Sequence, residues 1–340
     1  MSAPTGPICI LGMPRSGTTW LAKLFDSHPD TLYRHEPDSA GALHPIPLLA
    51  APDREAEDLV VMRAFLAGLR QRRTARICGK LPLFPKASMP GWRGRVQRAS
   101  IYAARLTPRA LRLPVLEPVH PGRPAPRVVW KSIESTGRAG LIARADPRGR
   151  LLLVIRHPCG QIHSTLRGEG RNHFAETTAT ADDWGVFERL LATPQARRHG
   201  LTRQRLEQAS APERLAWRWL LFNEKAVAEL AERSNARICL YEDLCARPAA
   251  VARTLFDFAG LPWAREVDAF LAASTAVDDA RYYSLLRDPR RAASAWREHL
   301  PSAVRARILD VVDGSAPGRL CLQAAPEPEP ALVERAEPRA

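Results

Sequence analysis

The chain alternates short unbroken apolar runs with stretches of helical spacing. Residues 7–11 (PICIL) form the first run and stop at Gly12. A short continuous run of this kind reads as a strand buried on both faces. From 18 to 27 the period changes. Trp20, Leu21, Leu24 and Phe25 recur on one helical face, and His28-Pro29 ends the helix. Strand, glycine loop and helix is the opening of a parallel α/β sheet. Further strands are predicted at 76–80 (RICGK), 127–131 (RVVWK), 151–155 (LLLVI) and 237–241 (RICLY). Helices are predicted at 55–73, from Pro158 onward, at 213–233, at 249–259 with Gly260 as the stop, and near 289–299 and 302–312.

The expected fold is therefore α/β: a P-loop-like three-layer domain over 1–325, its central sheet mostly parallel with about five strands and helices on both faces. Two segments break the rhythm. Residues 81–127 are rich in Pro and Arg with little periodicity, and 168–203 are polar and irregular. Both read as excursions on the substrate side, the second as a mobile lid. The tail 326–340, rich in Pro and Glu, is expected to be disordered.

Composition narrows the class. With 340 residues and 45% apolar content, a large folded domain is expected rather than a disordered chain. No run of 18 apolar residues exists, and the start, MSAPTGPICIL, lacks a basic n-region, so neither a membrane span nor a secretory signal is predicted. The six cysteines are scattered without a CxxC pair. That argues for a reducing, cytoplasmic setting and against a zinc site. The formal net charge is +14, yet only five of the 50 basic residues are lysines. Heavy use of Arg, Ala and Pro fits a GC-rich, bacterial coding sequence. The charge suits a solvated surface, a polyanionic ligand or an anionic membrane surface, so peripheral membrane contact stays open. Nucleic acid is not expected, because the charge is spread out and no nucleic-acid-binding motif is present.

The stretch GMPRSGTTW at 12–20 carries the first chemistry. It nearly spells the phosphate-binding pattern G-x-x-x-x-G-K-[ST], but Thr18 stands where the lysine belongs and the nearest cation is Arg15. Backbone N–H groups of such a loop, with the helix N-terminus behind them, cradle an anion. Ser16, Thr18 and Thr19 add hydroxyls, and Gly17 permits the turn. An ATP or GTP site uses the lysine on its outer phosphates and a Ser/Thr on Mg²⁺. A 5′-phosphosulfate, shorter and less charged, needs neither in the same place.

PRSGTTWL resembles the 5′-phosphosulfate loop of sulfotransferases that use 3′-phosphoadenosine-5′-phosphosulfate (PAPS). A second motif supports the resemblance. The run LLLVI leads into Arg156-His157-Pro158, and Ser164 follows eight residues after the arginine, as in the family's 3′-phosphate site. The resemblance implies that Arg15 stabilises the leaving group while Ser16, Gly17, Thr18 and Thr19 hold the 5′-phosphate. It implies Arg156 and Ser164 on the 3′-phosphate and Trp20 against adenine, with Tyr241 of YEDL a second adenine contact or merely the end of a buried strand. PAPS would be the co-substrate and adenosine 3′,5′-bisphosphate (PAP) the product, without a metal. His157 departs from the aspartate frequent in the family. The glycine-rich segment of the cytosolic branch is absent, and Arg287, Arg290 or Arg291 are candidates to replace it.

Transfer to a hydroxyl or amine needs a base near the acceptor. Glu36, in YRHEPD, resembles the E-P of the carbohydrate and protein-tyrosine branches, and His35 is the rival. Lys131, in WKS, matches a lysine common before the 3′-phosphate strand, with Lys80 as an alternative, and Arg138 is expected to add charge on the nucleotide side. The acceptor implied is a carbohydrate, glycolipid or natural-product hydroxyl. Two other classes stay in view. A nucleotide kinase or NTPase with a degenerate loop would need Mg²⁺ and an acid at a strand end, which only Glu242-Asp243 supplies. A non-catalytic basic module would bind polyanions in a salt-sensitive way.

Overall fold

The structure is a computed structural model that describes residues 5–39, 43–107, 113–170, 178–275 and 289–323. The tail 326–340 lies outside them. The strands are β1 (Ile8–Leu11), β2 (Thr31–His35), β3 (Arg127–Ser132), β4 (Arg150–Ile155) and β5 (Ala236–Leu240). They form one sheet in the order β2-β3-β1-β4-β5, and every neighbouring pair is parallel. The helices are, in chain order, α1 (Thr18–Ser27), α2 (Glu55–Ala67), α3 (Ala75–Cys78), α4 (Trp92–Leu106), α5 (Ala139–Ala145) and α6 (Pro158–Glu169), then α7 (Trp184–Leu191), α8 (Pro194–Arg198), α9 (Arg203–Gln208), α10 (Ala211–Leu230), α11 (Tyr241–Ala246) and α12 (Pro248–Ala259), and finally α13 (Arg265–Thr275), α14 (Pro289–Ser294), α15 (Trp296–His299), α16 (Ser302–Val312) and α17 (Ala316–Gln323).

The apolar runs are continuous because both faces of the sheet are covered. Successive side chains along a strand point to opposite faces. Ile8, Ile10, Val129, Leu152 and Val154 pack with Leu21, Phe25 and Phe256 of α1 and α12. Cys9, Leu11, Trp130, Leu151, Leu153 and Ile155 pack on the other side with Ile142 of α5 and Leu220 of α10. Helix α10 starts at a capping box, in which the Ser210 N–H donates to the Glu213 carboxylate at 2.9 Å. Its Trp219, wholly buried, donates from Nε1 to the Arg156 carbonyl at 3.0 Å. Removing that ring would cost about 3–5 kcal/mol and would release the turn after β4.

Several expectations are corrected. Residues 76–80 are not a strand. Ala75–Cys78 is a single helical turn whose Ile77 and Cys78 pack on Ile101 and Val115 in a small separate cluster. The second strand in chain order is instead Thr31–His35, at the edge of the sheet, which reads as polar because of Arg34. That arginine is fully buried and bidentate to Glu117, at 2.9 and 2.7 Å, a partner remote in sequence. The helix at 55–73 stops at Ala67, because Gly68 leads into a short turn at Leu69–Gln71. The 81–127 excursion contains the 15-residue helix α4. In the 168–203 segment, residues 171–177 lie outside the described residues, but Trp184–Leu191 and Pro194–Arg198 are helical. The Asp183 and Thr193 side chains cap α7 and α8 by accepting from Val186 and Ala196 N–H groups. The helix at 289–299 divides at Ala295, and α17 extends past 312.

All five strands run the same way, so the segments after them meet at one carboxyl edge. In such sheets ligands bind outside that edge.

Candidate active site

Residues 12–17 connect β1 to α1. Gly17 caps the helix in the left-handed region, at φ 92° and ψ 1°, and Arg15 is also left-handed at φ 70°. A non-glycine residue there stores strain, which marks places where the surrounding structure dictates the backbone. Both glycines are needed for close approach. A Cβ on Gly12 would stand 2.5 Å from the Val154 carbonyl oxygen, and one on Gly17 would run into the Tyr241 ring. The first turn of α1 holds no acidic residue, so its N–H groups face no competing carboxylate from their own helix. Thr18 is buried and Thr19 half-buried in that turn. Ser16 is wholly buried, and its Oγ has no hydrogen-bond partner.

The second motif is folded directly onto the first. Arg15 Nε donates to Ser164 Oγ at 3.0 Å, across 149 positions of sequence. Arg156 leaves the end of β4 and donates from one terminal nitrogen to the Arg15 carbonyl at 3.0 Å, and from the other to the Ala292 carbonyl at 2.7 Å. Its guanidinium lies 4.5 Å from the Tyr241 ring centroid, and its Nε is buried without a partner. Tyr241 therefore sits between Gly17 and Arg156. Trp20 is partly exposed and lies 6.4 Å from Phe270. The turn after Arg156 is held by Glu242, whose two carboxylate oxygens accept the His157 N–H at 3.1 and 3.2 Å. Burial pushes the Glu242 carboxyl above its ordinary range despite the Arg156 charge. The His157 ring stacks on Trp296 at 4.4 Å and stays neutral, its pKa pushed down to about 4 by burial and then by Arg297. Arg287 lies outside the described residues. Arg290 and Arg291 are exposed on α14, and that helix meets Arg156 through a backbone carbonyl.

On the other side, Glu36 follows β2 in the left-handed region, at φ 47°. Its N–H donates to the Lys131 carbonyl at 2.8 Å, and its carboxylate forms an ion pair with the Lys131 ammonium. Lys131 is 2% exposed. Burial would raise the Glu36 carboxyl, but Lys131 and then His35 bring it below the ordinary glutamate value. Burial lowers the Lys131 ammonium, against the pull of Glu36. His35 Nε2 lies 3.8 Å from the same carboxylate oxygen, and its Nδ1 shares a 2.8 Å hydrogen bond with Tyr33 Oη. Burial and then Lys131 push His35 down to about 3, so it is neutral near pH 7. When Tyr33 donates to Nδ1, Nε2 carries the proton and His35 has no free lone pair facing the crevice. Lys80 is close enough for its charge to act on both His35 and Lys131.

Arg138 points elsewhere. It donates to the Pro47 and Ile46 carbonyls at 2.9 and 2.6 Å and so holds the 43–47 loop instead of the nucleotide side. Sequence reasoning missed Asp38, which accepts from Trp130 Nε1 at 3.3 Å and Ser135 Oγ at 2.7 Å and also from Ser132 Oγ. It ties the segment after β2 to that after β3. It also missed the buried cluster in which Asp26 pairs with Lys86, at 2.8 Å, and with Lys23. Only the proximity of Asp38 to Glu36 could have pointed to the former.

The structure thus places a lysine-free anion loop and an arginine–serine motif together at the carboxyl edge of a parallel α/β sheet. Residues 7–265 match the family model described as the sulfotransferase family. The chain belongs to that family, and its class of chemistry is sulfuryl transfer. A search of curated proteins found no match. Among solved structures, the chain is similar to the sulfotransferase domain from the curacin biosynthetic pathway, with 16% identity, TM-score 0.44, and 92% of this chain and 97% of that one covered. It is also similar to mouse sulfotransferase SULT7A1 complexed with PAP, at 11% identity, TM-score 0.44, and 96% and 91% coverage. A third is sulfotransferase STF9 from Mycobacterium avium, at 17% identity, TM-score 0.40, and 92% and 77% coverage. Among the described residues no helix is long and apolar enough to cross a membrane.

Proposed function

We propose that the protein moves a sulfuryl group from PAPS to a hydroxyl or amine by direct in-line transfer. The observation that carries this reading is the contact of the two anion motifs through Arg15, Ser164 and Arg156. A kinase-type loop has no use for the second motif, and of the two acids a kinase reading would draw on, Glu242 accepts the His157 N–H and Asp243 lies 3.7 Å from Arg247.

The residues present fit the co-substrate. The unpartnered Ser16 hydroxyl and Arg156 Nε are buried donors of the kind a bound phosphate satisfies. Gly17, Thr18 and Thr19 would hold the 5′-phosphate with backbone N–H groups and hydroxyls. Arg156 and Ser164 would hold the 3′-phosphate, and Trp20 and Tyr241 would line the adenine. When bound, PAPS supplies the activated sulfuryl group. Arg15 places positive charge where negative charge develops on the departing phosphate. Glu36 removes the acceptor proton, and Lys131 keeps that carboxylate ionised and near the reacting group. Fixed cations and N–H groups neutralise the co-substrate, so no metal is needed. A carbohydrate, glycolipid or natural-product hydroxyl is the proposed acceptor, from the E-P resemblance. The six cysteines are all free and buried, which supports a reducing compartment such as a cytoplasm.

Calorimetric titration tests the reading. Adenosine 3′,5′-bisphosphate should bind without metal, and Arg156→Ala should weaken it by about 10–100-fold, the worth of hydrogen bonds to a charged group. Binding of ATP only with Mg²⁺, and none of the bisphosphate, would transfer the chain to the kinase reading.

A further inference from the structure

Large apolar side chains are exposed mainly in one region. Leu81, Trp92, Tyr102, Leu106, Leu113 and Leu116 are 44–89% exposed, whereas elsewhere among the described residues only Val60 and Leu322 stand out in this way. Three of the six lie on α4, which buries a single residue, Ile101. At 100° per residue, Trp92, Ala99, Tyr102, Ala103 and Leu106 fall on one outward stripe, opposite Ile101. An amphipathic helix normally turns such a stripe to the core. Here the stripe faces out, and the helix is anchored by its narrow opposite face. Ile101 packs on Ile77 and Val115, and the Arg105 guanidinium donates to the Gly79 carbonyl. Leu113 and Leu116 belong to the strap alongside, where the Leu116 N–H donates to Ser100 Oγ at 3.0 Å.

The charge around the stripe has one sign. Helix α4 carries Arg93, Arg95, Arg98 and Arg105 with no acidic residue, and no Asp or Glu occurs from 87 to 116. Arg95 and Arg98 share the exposed face. Arg93 lies 4.7 Å over the Trp92 ring. Arginine beside exposed Trp, Tyr and Leu on an in-plane helix is the composition that seats in the boundary between lipid headgroups and acyl chains. A basic helix without aromatic or aliphatic exposure would suit a polyanion in solution, and an uncharged apolar stripe would suit another protein.

We propose that α4 and the adjoining 113–116 strap dock this protein onto an anionic lipid bilayer. The helix rests on α3, and Lys80 just beyond α3 acts electrostatically on Lys131 and His35. A lipid-borne hydroxyl would then be presented to the docked protein as acceptor. That last consequence rests on the sulfotransferase reading; the docking does not.

The test is sedimentation of the full chain with vesicles of phosphatidylcholine, or of phosphatidylcholine part-replaced by phosphatidylglycerol. Binding to the anionic vesicles is expected, with little to the neutral ones. Because the whole chain is basic, the discriminating variants are matched for charge. Arg95→Gln with Arg98→Gln should weaken vesicle binding by about fivefold per arginine, and Arg148→Gln with Arg265→Gln, also exposed but remote in sequence, should weaken it far less. Trp92→Ala with Leu106→Ala, which removes no charge, should lower it at least tenfold. These side chains are exposed, so thermal melts should match the parent chain. Equal losses in the two arginine pairs, or no loss in the Trp92 and Leu106 variant, would overturn the proposal in favour of diffuse charge attraction. Dimerisation by light scattering that disappears in the Trp92 and Leu106 variant, without vesicle binding, would overturn it in favour of self-association. Bisphosphate titration of the same variants should be unchanged, which separates docking from nucleotide binding.

Discussion

The nucleotide half of the crevice and the acceptor half use charge differently. Between β1 and β4, the binding groups are backbone N–H groups, hydroxyls and two arginines: Arg15 donates to a serine and Arg156 to carbonyls. Beside β2 and β3, several buried charges are matched in pairs. Glu36 pairs with Lys131, Arg34 with Glu117, and Asp26 with Lys23 and Lys86. An anion site needs N–H and O–H donors gathered at one place, with cationic groups among them. A base site needs a carboxylate held ionised and in position, which matched partners provide. Arg15 and Glu36 share one property, a strained left-handed backbone, at corresponding points of the two halves.

That contrast can be broken by experiment. The largest effect is expected from Glu36→Gln, which keeps shape but removes the proton acceptor. Turnover should fall about 10²–10⁴-fold while bisphosphate affinity is unchanged; near-normal turnover would pass the base role to His35 or another group. Glu117→Ala should be next in size. It leaves Arg34 buried and unpaired, at a cost of about 3–5 kcal/mol, read as a lowered midpoint in denaturant. A loss under ~1 kcal/mol would mean that β2 and the excursion are not held by that pair. Arg15→Ala should lower kcat about 10²–10³-fold, more than it weakens the bisphosphate, because the charge it meets grows during transfer. Equal losses in both would make it a plain binding residue.

The smallest effect is on pH dependence. With its carboxyl held below the ordinary glutamate value by Lys131, Glu36 stays ionised well into acid, and the acid limb of kcat/KM should lie below that value. Lys131→Met removes the positive charge, so the carboxyl pKa rises and the limb moves to higher pH. A limb that stays in place would separate Lys131 from the titrating group. The same sign logic applies to stability. His35 and His157 are depressed to about 3 and about 4. The unfolded chain takes up their protons first, so stability present above the ordinary histidine value is lost as pH falls from there towards about 4. Thermal midpoints measured across that window should decline, and His157→Gln should flatten the decline.

What was legible in the sequence was local. The runs at 7–11, 127–131 and 151–155 became strands because a strand buried on both faces needs no partner to declare itself, and that at 237–241 became the partly buried edge strand β5. The two phosphate motifs were legible for a similar reason, since a loop and the helix after it shape an anion site from consecutive residues. Membership of the sulfotransferase family follows from that stretch of chain. What only the tertiary structure decided depends on pairing at a distance. Thr31–His35 is a strand because Glu117 neutralises Arg34, and 76–80 is a turn because its apolar residues face Ile101 and Val115 instead of the sheet. Asp38, Arg138 and the Glu36–Lys131 pair acquired their partners the same way. The outward face of α4, on a helix that the weak periodicity of 81–127 did not announce, was also decided by the tertiary structure. An apolar pattern states that a side chain will be buried or paired; the neighbours that bury or pair it come from other parts of the chain.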